Sequence, residues 1–235
     1  MTLQPTPQLQ LAGENAFILY FAQHISPDVA AAVQLAERQL KSALADQLIE
    51  LLPSYASLLI VFNPLKHSHL SLRPAILAAL TQPLPASAQQ SRLVELPVWY
   101  SSESGPDLEL VAKTKQLSTD DIIRLHSQPL YQVYAIGFAP GFAYLGQLPE
   151  QLAMPRLSSP RPKVPAGAVA IADRQTAVYP AASPGGWHLL GLCPVTMFNP
   201  AFSSGSAAAM PVAVGDEVRF VPISKAEYQQ LKGAS

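Results

Sequence analysis

Cysteine is nearly missing from this 235-residue sequence, in which Cys193 stands alone. One thiol can form neither an internal disulfide nor a cysteine-rich metal cluster, and such usage fits a reducing compartment. Charge is also scarce: Asp, Glu, Lys and Arg together make up 13% of the chain, with a net charge of −1, against roughly 25% in an average soluble protein. No basic stripe is present, so no nucleic-acid partner is expected. Apolar runs are strand-sized and fall short of the ~20 residues that cross a membrane. The opening MTLQPTPQLQLAGENAF has no basic region followed by an apolar one, as a secretory leader would. The expectation is a soluble, cytoplasmic protein with no membrane partner. Two catalytic devices are absent as well. No G-x-x-x-x-G-K-[ST] occurs, so ATP would not be bound by a P-loop. No G-x-S-x-G precedes a helix, which leaves a hydrolase of that class unsupported.

What the chain has in quantity is proline, 23 residues, within a composition that is 49% hydrophobic. That suffices for real cores, and a low-charge surface leaves apolar area for a permanent protein partner. The first part reads as ββαββα. Strands are predicted over 9–11 and 16–21, and a helix from Ser26-Pro27 to about 44 with Val29, Val33, Ala36, Leu40 and Leu44 on one stripe. Strands follow over 48–52 and 57–62, then a helix near 72–80. The polar, proline-bearing 81–91 reads as a linker. A run at 93–98 either ends the first domain or begins the second. Pro106 opens a short helix to 112, and Ser118 caps another that ends at His126. A strand over 217–221 and a helix over 224–231 finish the chain, after a loop at 203–211.

Residues 131–200 organise the second half. Short apolar runs at 131–136, 168–172, 175–179 and 188–192 alternate with Gly/Pro corners, the pattern of a barrel or sandwich with elaborate loops. The corners and strand ends hold the candidate chemistry. His126 is either a pocket residue or a helix-end residue whose imidazolium the dipole favours. Arg156 and Arg161 suit a carboxylate or phosphate by bidentate pairing, with Lys163 a less specific neighbour. Gln175 and Tyr179 share one face of a strand with Ala177, while Thr176 points to the other. Phe138, Phe142, Tyr144 and Trp187 could form an aromatic wall, with Phe138 read as core. Gly185-Gly186 would offer backbone N–H donors. His67-Ser-His69 is read as solvated rather than metal-binding.

GFAPGFAYL (137–145), MPR (154–156), SPRPKVPAGAVAIADRQTAVYP (159–180) and SPGGWHLLG (183–191), followed by GDEVRF at 215–220, resemble in order and spacing the signature of the family of 5-oxoprolinase B-type subunits. That family includes KipI-type histidine-kinase inhibitors and proteins called allophanate hydrolase subunit 1. The resemblance implies an α+β fold: a ferredoxin-like α/β domain over 1–88 and a cyclophilin-like β-barrel over 89–235. It implies ATP-driven opening of 5-oxo-L-proline to L-glutamate, with Mg-ATP as co-substrate and A-type and C-type subunits as partners. Under it, His126, Arg156, Arg161, Gln175, Thr176, Tyr179, Gly185, Gly186 and Trp187 are the substrate- or nucleotide-binding candidates. No general base is named, and this chain alone is expected to be inactive. The alternatives are an inhibitor docking on a sensor histidine kinase, or half of a urea/allophanate-type carboxyltransferase. Departures from the family pattern remove two charges, since Leu192 stands for an arginine and Asn199 for an aspartate. Ala168 stands for a serine, and Ala170 and Ala177 for glycines.

Overall fold

Alternating apolar residues build the first sheet. Strands β1 (Gln8–Leu11), β2 (Ala16–Tyr20), β3 (Leu48–Pro53) and β4 (Ser57–Phe62) lie in the order β1-β2-β4-β3, each antiparallel to its neighbour. Phe17 and Leu19 on β2, with Leu58, Ile60 and Phe62 on β4, fall on one face by the two-residue period and are all buried. Helices α1 (Pro27–Leu44) and α2 (His69–Ala79) cover that face with Val33, Leu40, Leu72 and Ile76. Ser26 caps α1 by accepting the Val29 N–H at 3.2 Å, with Pro27 at the first turn. α2 begins at His69, earlier than its apolar spacing suggests, because Ser68 and Ser71 cap each other's backbone. The His69 imidazole is edge-on to Phe17 and Phe62, at 4.9 and 5.0 Å, and its Nε2 lies 3.2 Å from the Ala16 carbonyl. It is a packing residue.

The computed structural model describes residues 7–83, 92–202 and 209–233. Most of the expected 81–91 linker and most of the 203–211 loop lie outside the described residues. The chain divides into two compact units, Met1–Gln90 and Ser91–Ser235. In the first, β2-α1-β3 with β4 between them is a split βαβ arrangement. Its fourth strand is β1, which precedes the motif in the chain; the ordinary ferredoxin-like order βαββαβ takes that strand from beyond α2. The chain beyond α2 supplies β5 (Leu93–Tyr100) instead, and β5 is fully engaged elsewhere, between β12 (His188–Leu192) and β13 (Glu217–Ile223).

The second unit is a closed barrel. β6 (Tyr131–Ile136), β7 (Ala143–Gly146), β9 (Ala168–Ala172) and β10 (Gln175–Val178) complete the circuit β10-β7-β6-β13-β5-β12-β9, and β9 pairs back onto β10. Every pairing is antiparallel except β13 with β5. α3 (Leu108–Lys115) and α4 (Thr119–Ser127) add Leu108, Val111 and Ile122 to the barrel core, and α5 (Lys225–Gly233) ends the chain. A separate two-stranded antiparallel sheet, β8 (Arg161–Val164) with β11 (Ser183–Gly185), lies outside the barrel circuit.

β9 shows why two cores form in this unit. Its sequence AVAIA is buried at every position. Val169 and Ile171 join the barrel core, whereas Ala168, Ala170 and Ala172 join a second cluster with Phe142, Tyr179 and Trp187. Small residues on that outer face leave room for an aromatic layer. Ala177 on β10 does the same.

Candidate functional site

One group of expected site residues lies inside the barrel. α4 is amphipathic, and Ile122 and His126, four residues apart on one face, are both wholly buried. His126 stacks on Phe220 at 4.6 Å, with Nδ1 2.7 Å from the Tyr100 hydroxyl and Nε2 2.8 Å from Thr176 Oγ1. Thr176 donates its one hydroxyl proton to the Ala170 carbonyl at 3.0 Å, so it accepts from His126 Nε2–H. Nδ1 is then the acceptor for the Tyr100 O–H. Burial lowers the His126 pKa to about 3. The imidazolium expected from the helix dipole is therefore not formed near neutral pH, because desolvation outweighs the dipole. His126 and Thr176 are a buried polar pair in the barrel core, with both imidazole nitrogens and the threonine hydroxyl engaged by protein groups.

The other group gathers on the outer aromatic layer. Phe142 is its hub, edge-on to Tyr144 (4.8 Å), Tyr179 (5.3 Å) and Trp187 (5.7 Å). The Arg156 guanidinium lies over the Trp187 ring, 5.8 Å from its centroid, a cation–π geometry. Three backbone fasteners bracket Arg156. Met154 O accepts from Asp173 N–H at 2.7 Å, Pro155 O from His188 Nε2 at 2.9 Å, and Leu157 N–H donates to Gly186 O at 2.7 Å. Arg156 itself is 59% exposed and its Nε is 3.8 Å from the equally open Asp173 carboxylate, a contact worth about 0–1 kcal/mol. Its charge is thus held in place by backbone yet little committed to the protein's own structure.

Tyr144 and Tyr179 are near enough to feel that charge. Burial pushes both phenols above their ordinary range, and Arg156 pulls each back in part. The Trp187 backbone N–H also lowers the Tyr179 pKa in part. Gly185 is where that phenol needs space: a Cβ there would stand 2.3 Å from the hydroxyl. Gly186 contributes its carbonyl to the Leu157 fastener. Gln175, half-buried, shares the outer face with Ala177 and Tyr179. Phe138, read from sequence as core, is 69% exposed at φ +73°, at the tip of the turn before Phe142. That backbone conformation is costly for a bulky residue.

Arg161 is placed differently. Its Nη2 donates to Asp107 Oδ1 at 2.5 Å, and its Nη1 lies 3.4 Å from the Trp187 carbonyl. Asp107 is buried, so this guanidinium is paired within the protein while its side chain stays 29% exposed. Lys163 is exposed on β8. Sequence reasoning missed Asp107, which looks like a helix cap, and His188, which looks like an ordinary strand residue. Among the described residues no group of three His, Cys, Asp or Glu side chains converges to hold a metal, and no helix is long and apolar enough to cross a membrane.

The arrangement offers one accessible guanidinium above an indole, flanked by two phenols and a glutamine. The exposed guanidinium can bind a carboxylate or phosphoryl oxygen by charge, while Trp187 and Tyr179, both buried, pack beneath it. The carboxyltransferase domain family, subdomains C and D, matches residues 7–208. A protein named as the B-type subunit of 5-oxoprolinase, from Bacillus subtilis (strain 168), is 36% identical over 238 residues, spanning 97% of this chain and 98% of the relative. The crystal structure of TTHA0988 superposes with a TM-score of 0.77 at 35% identity, covering 89% of this chain and 40% of that longer one. The K. lactis urea amidolyase matches with a TM-score of 0.72 over 98% of this chain and 16% of its own, at 15% identity, a likeness of fold alone.

Proposed function

This chain belongs to the carboxyltransferase-domain family, subdomains C and D, and within it to the group of 5-oxoprolinase B-type subunits, and from that premise we propose how it works. It is the B-type subunit of a 5-oxoprolinase, and other subunits complete the enzyme. The observation that carries this is the alignment with the Bacillus subtilis relative along nearly the full length of both chains.

The reaction we assign is the opening of the 5-oxo-L-proline lactam to L-glutamate with hydrolysis of ATP to ADP and phosphate. An amide carbonyl is a poor electrophile. Transfer of the γ-phosphoryl group to the lactam oxygen releases ADP and activates the ring carbon. Water adds there, and the C–N bond breaks with the nitrogen leaving as the protonated amine. A second water hydrolyses the resulting acyl phosphate to the carboxylate and inorganic phosphate. Magnesium arrives on the nucleotide's phosphates, as it commonly does. In this reading Arg156 receives the substrate carboxylate, and the buried Trp187, with Tyr179 beside it, holds the guanidinium in place. Gln175 lies on the same face and can hydrogen-bond the lactam amide. The barrel is read as cyclophilin-like, and A-type and C-type subunits contribute the phosphoryl-transfer groups.

The test is to supply purified chain, alone and then with A- and C-type subunits, with Mg-ATP and 5-oxoproline. Glutamate and ADP should form together only in the full mixture. Turnover by the chain alone overturns the partner requirement. Failure of the full mixture, with tight binding to a sensor histidine kinase, favours the inhibitor reading.

A further inference from the structure

We propose that Asp107 is the positioning residue of the Arg156–Trp187 face, acting through Arg161 and through β12. The inference rests on the reading of that face as the carboxylate site.

Asp107 stands at the cap position of α3, where an aspartate ordinarily accepts an N–H from its own helix. It makes no such bond. Its Oδ2 instead accepts the Leu189 N–H at 2.7 Å, and its own N–H donates to the Leu189 carbonyl at 3.1 Å. Asp107 therefore serves Leu189 as a strand neighbour one residue long, at the place where the β12–β9 register shifts between Leu189 and Gly191. The approach is close: a Cβ on Gly105 would stand 2.1 Å from the carbonyl carbon and oxygen of Leu190.

The second carboxylate oxygen reaches the aromatic layer. Oδ1 takes Arg161 Nη2, and Arg161 Nη1 reaches the carbonyl of Trp187. The Asp107 side chain is 6% exposed and that of Arg161 29%, so water competes little for the pair. One carboxylate thus fixes residues 187 and 189, on either side of His188. His188 in turn holds the Pro155 carbonyl, next to Arg156. Both halves of the cation–π pair hang on this clamp: the indole through Arg161, and the guanidinium through β12 and His188.

The test uses the full chain carrying Trp99→Phe, which leaves Trp187 as its single tryptophan of the original two. Asp107→Asn keeps a carbonyl oxygen for Leu189 but turns an amide toward Arg161. Arg161→Lys keeps a charge against Asp107 while losing the planar fork that serves two acceptors. In both, acrylamide quenching of Trp187 fluorescence should rise about twofold. In the complex with its partner subunits, KM for 5-oxoproline should rise about tenfold with kcat within about twofold. If Asp107→Asn does not fold, by circular dichroism and gel filtration, Arg161→Lys carries the same expectation. Unchanged quenching in the folded variants overturns the proposal. So does a fall in kcat at unchanged KM, the result of a lower active fraction. Arg156→Ala separates the two readings. If that variant leaves KM unchanged while Asp107→Asn still alters Trp187 quenching, the carboxylate site fails and the clamp stands. If Arg156→Ala raises KM and Asp107→Asn does not, the clamp's part in binding fails.

Discussion

The Thr176 hydroxyl decides where the proton sits on His126. With its own proton given to the Ala170 carbonyl at 3.0 Å, Thr176 accepts from Nε2 at 2.8 Å, and the imidazole is neutral and oriented within the barrel. A histidine that lies just ahead of a functional-looking loop in sequence is in space a link between α4, β5 and β10.

Acid sensitivity follows from that link. Burial holds His126 at about 3 in the fold, below the ordinary 6.5 that the unfolded chain shows. Between those values the unfolded state binds the extra proton, so this contribution to stability is complete above about pH 6.5 and is lost as pH falls toward the folded value. Its slope is at most about 1.4 kcal/mol per pH unit. Urea midpoints measured across this window should decline with acid in the wild type and decline less in His126→Gln. Equal slopes in the two proteins contradict the assignment.

Cys193 should be chemically silent in the native protein. It is buried in the barrel core, and burial pushes its thiol up to about 12, so almost no thiolate exists at neutral pH. Mass spectrometry after iodoacetamide treatment at about pH 8 should find it unmodified in buffer and alkylated in denaturant. Rapid labelling of the folded chain is the contrary result.

Gly185→Ala should strain the aromatic layer. The new methyl would meet the Tyr179 hydroxyl at 2.3 Å and its ring carbons at 2.9 and 3.0 Å, and Tyr179 is a buried, stiff side chain. Overpacking of this kind costs about 1–3 kcal/mol, or a few degrees of Tm for a unit of roughly this size. Tyr179→Phe removes the closest atom, so the double variant should recover part of the loss. No recovery would place the strain elsewhere.

Legibility in the sequence follows length and regularity. The alternation of β2 and β4 and the stripe of α1 are readable because each repeats over five residues or more. So are β6, β9, β10 and β12, as apolar runs between prolines. β7, β8 and β11 are not, since four-, four- and three-residue strands, two of them carrying proline, show no period. The expected ββαββα order of the first unit is the observed one, but which strand flanks β2 at the sheet edge is not readable, because pairing partners of an edge strand leave no local mark. At the site, Arg156 and Trp187 stand out by residue type, but Arg161 does not betray its partner. Asp107 lies 54 positions away and wears the pattern of a helix cap. The one signal for His126 is its spacing from Ile122, which puts both on the buried face of α4.

The part assigned to this chain in catalysis is to bind the substrate carboxylate through Arg156 above Trp187. The decisive measurement is steady-state kinetics of ATP-dependent glutamate formation by the complex, with wild-type and Arg156→Ala chains compared. Loss of a charge-assisted contact of about 1.5–3 kcal/mol predicts KM for 5-oxoproline raised about 10- to 150-fold, with the variant chain folded and still bound to its partners. Wild-type KM in that complex contradicts the assignment and returns Arg156 to an ordinary surface charge.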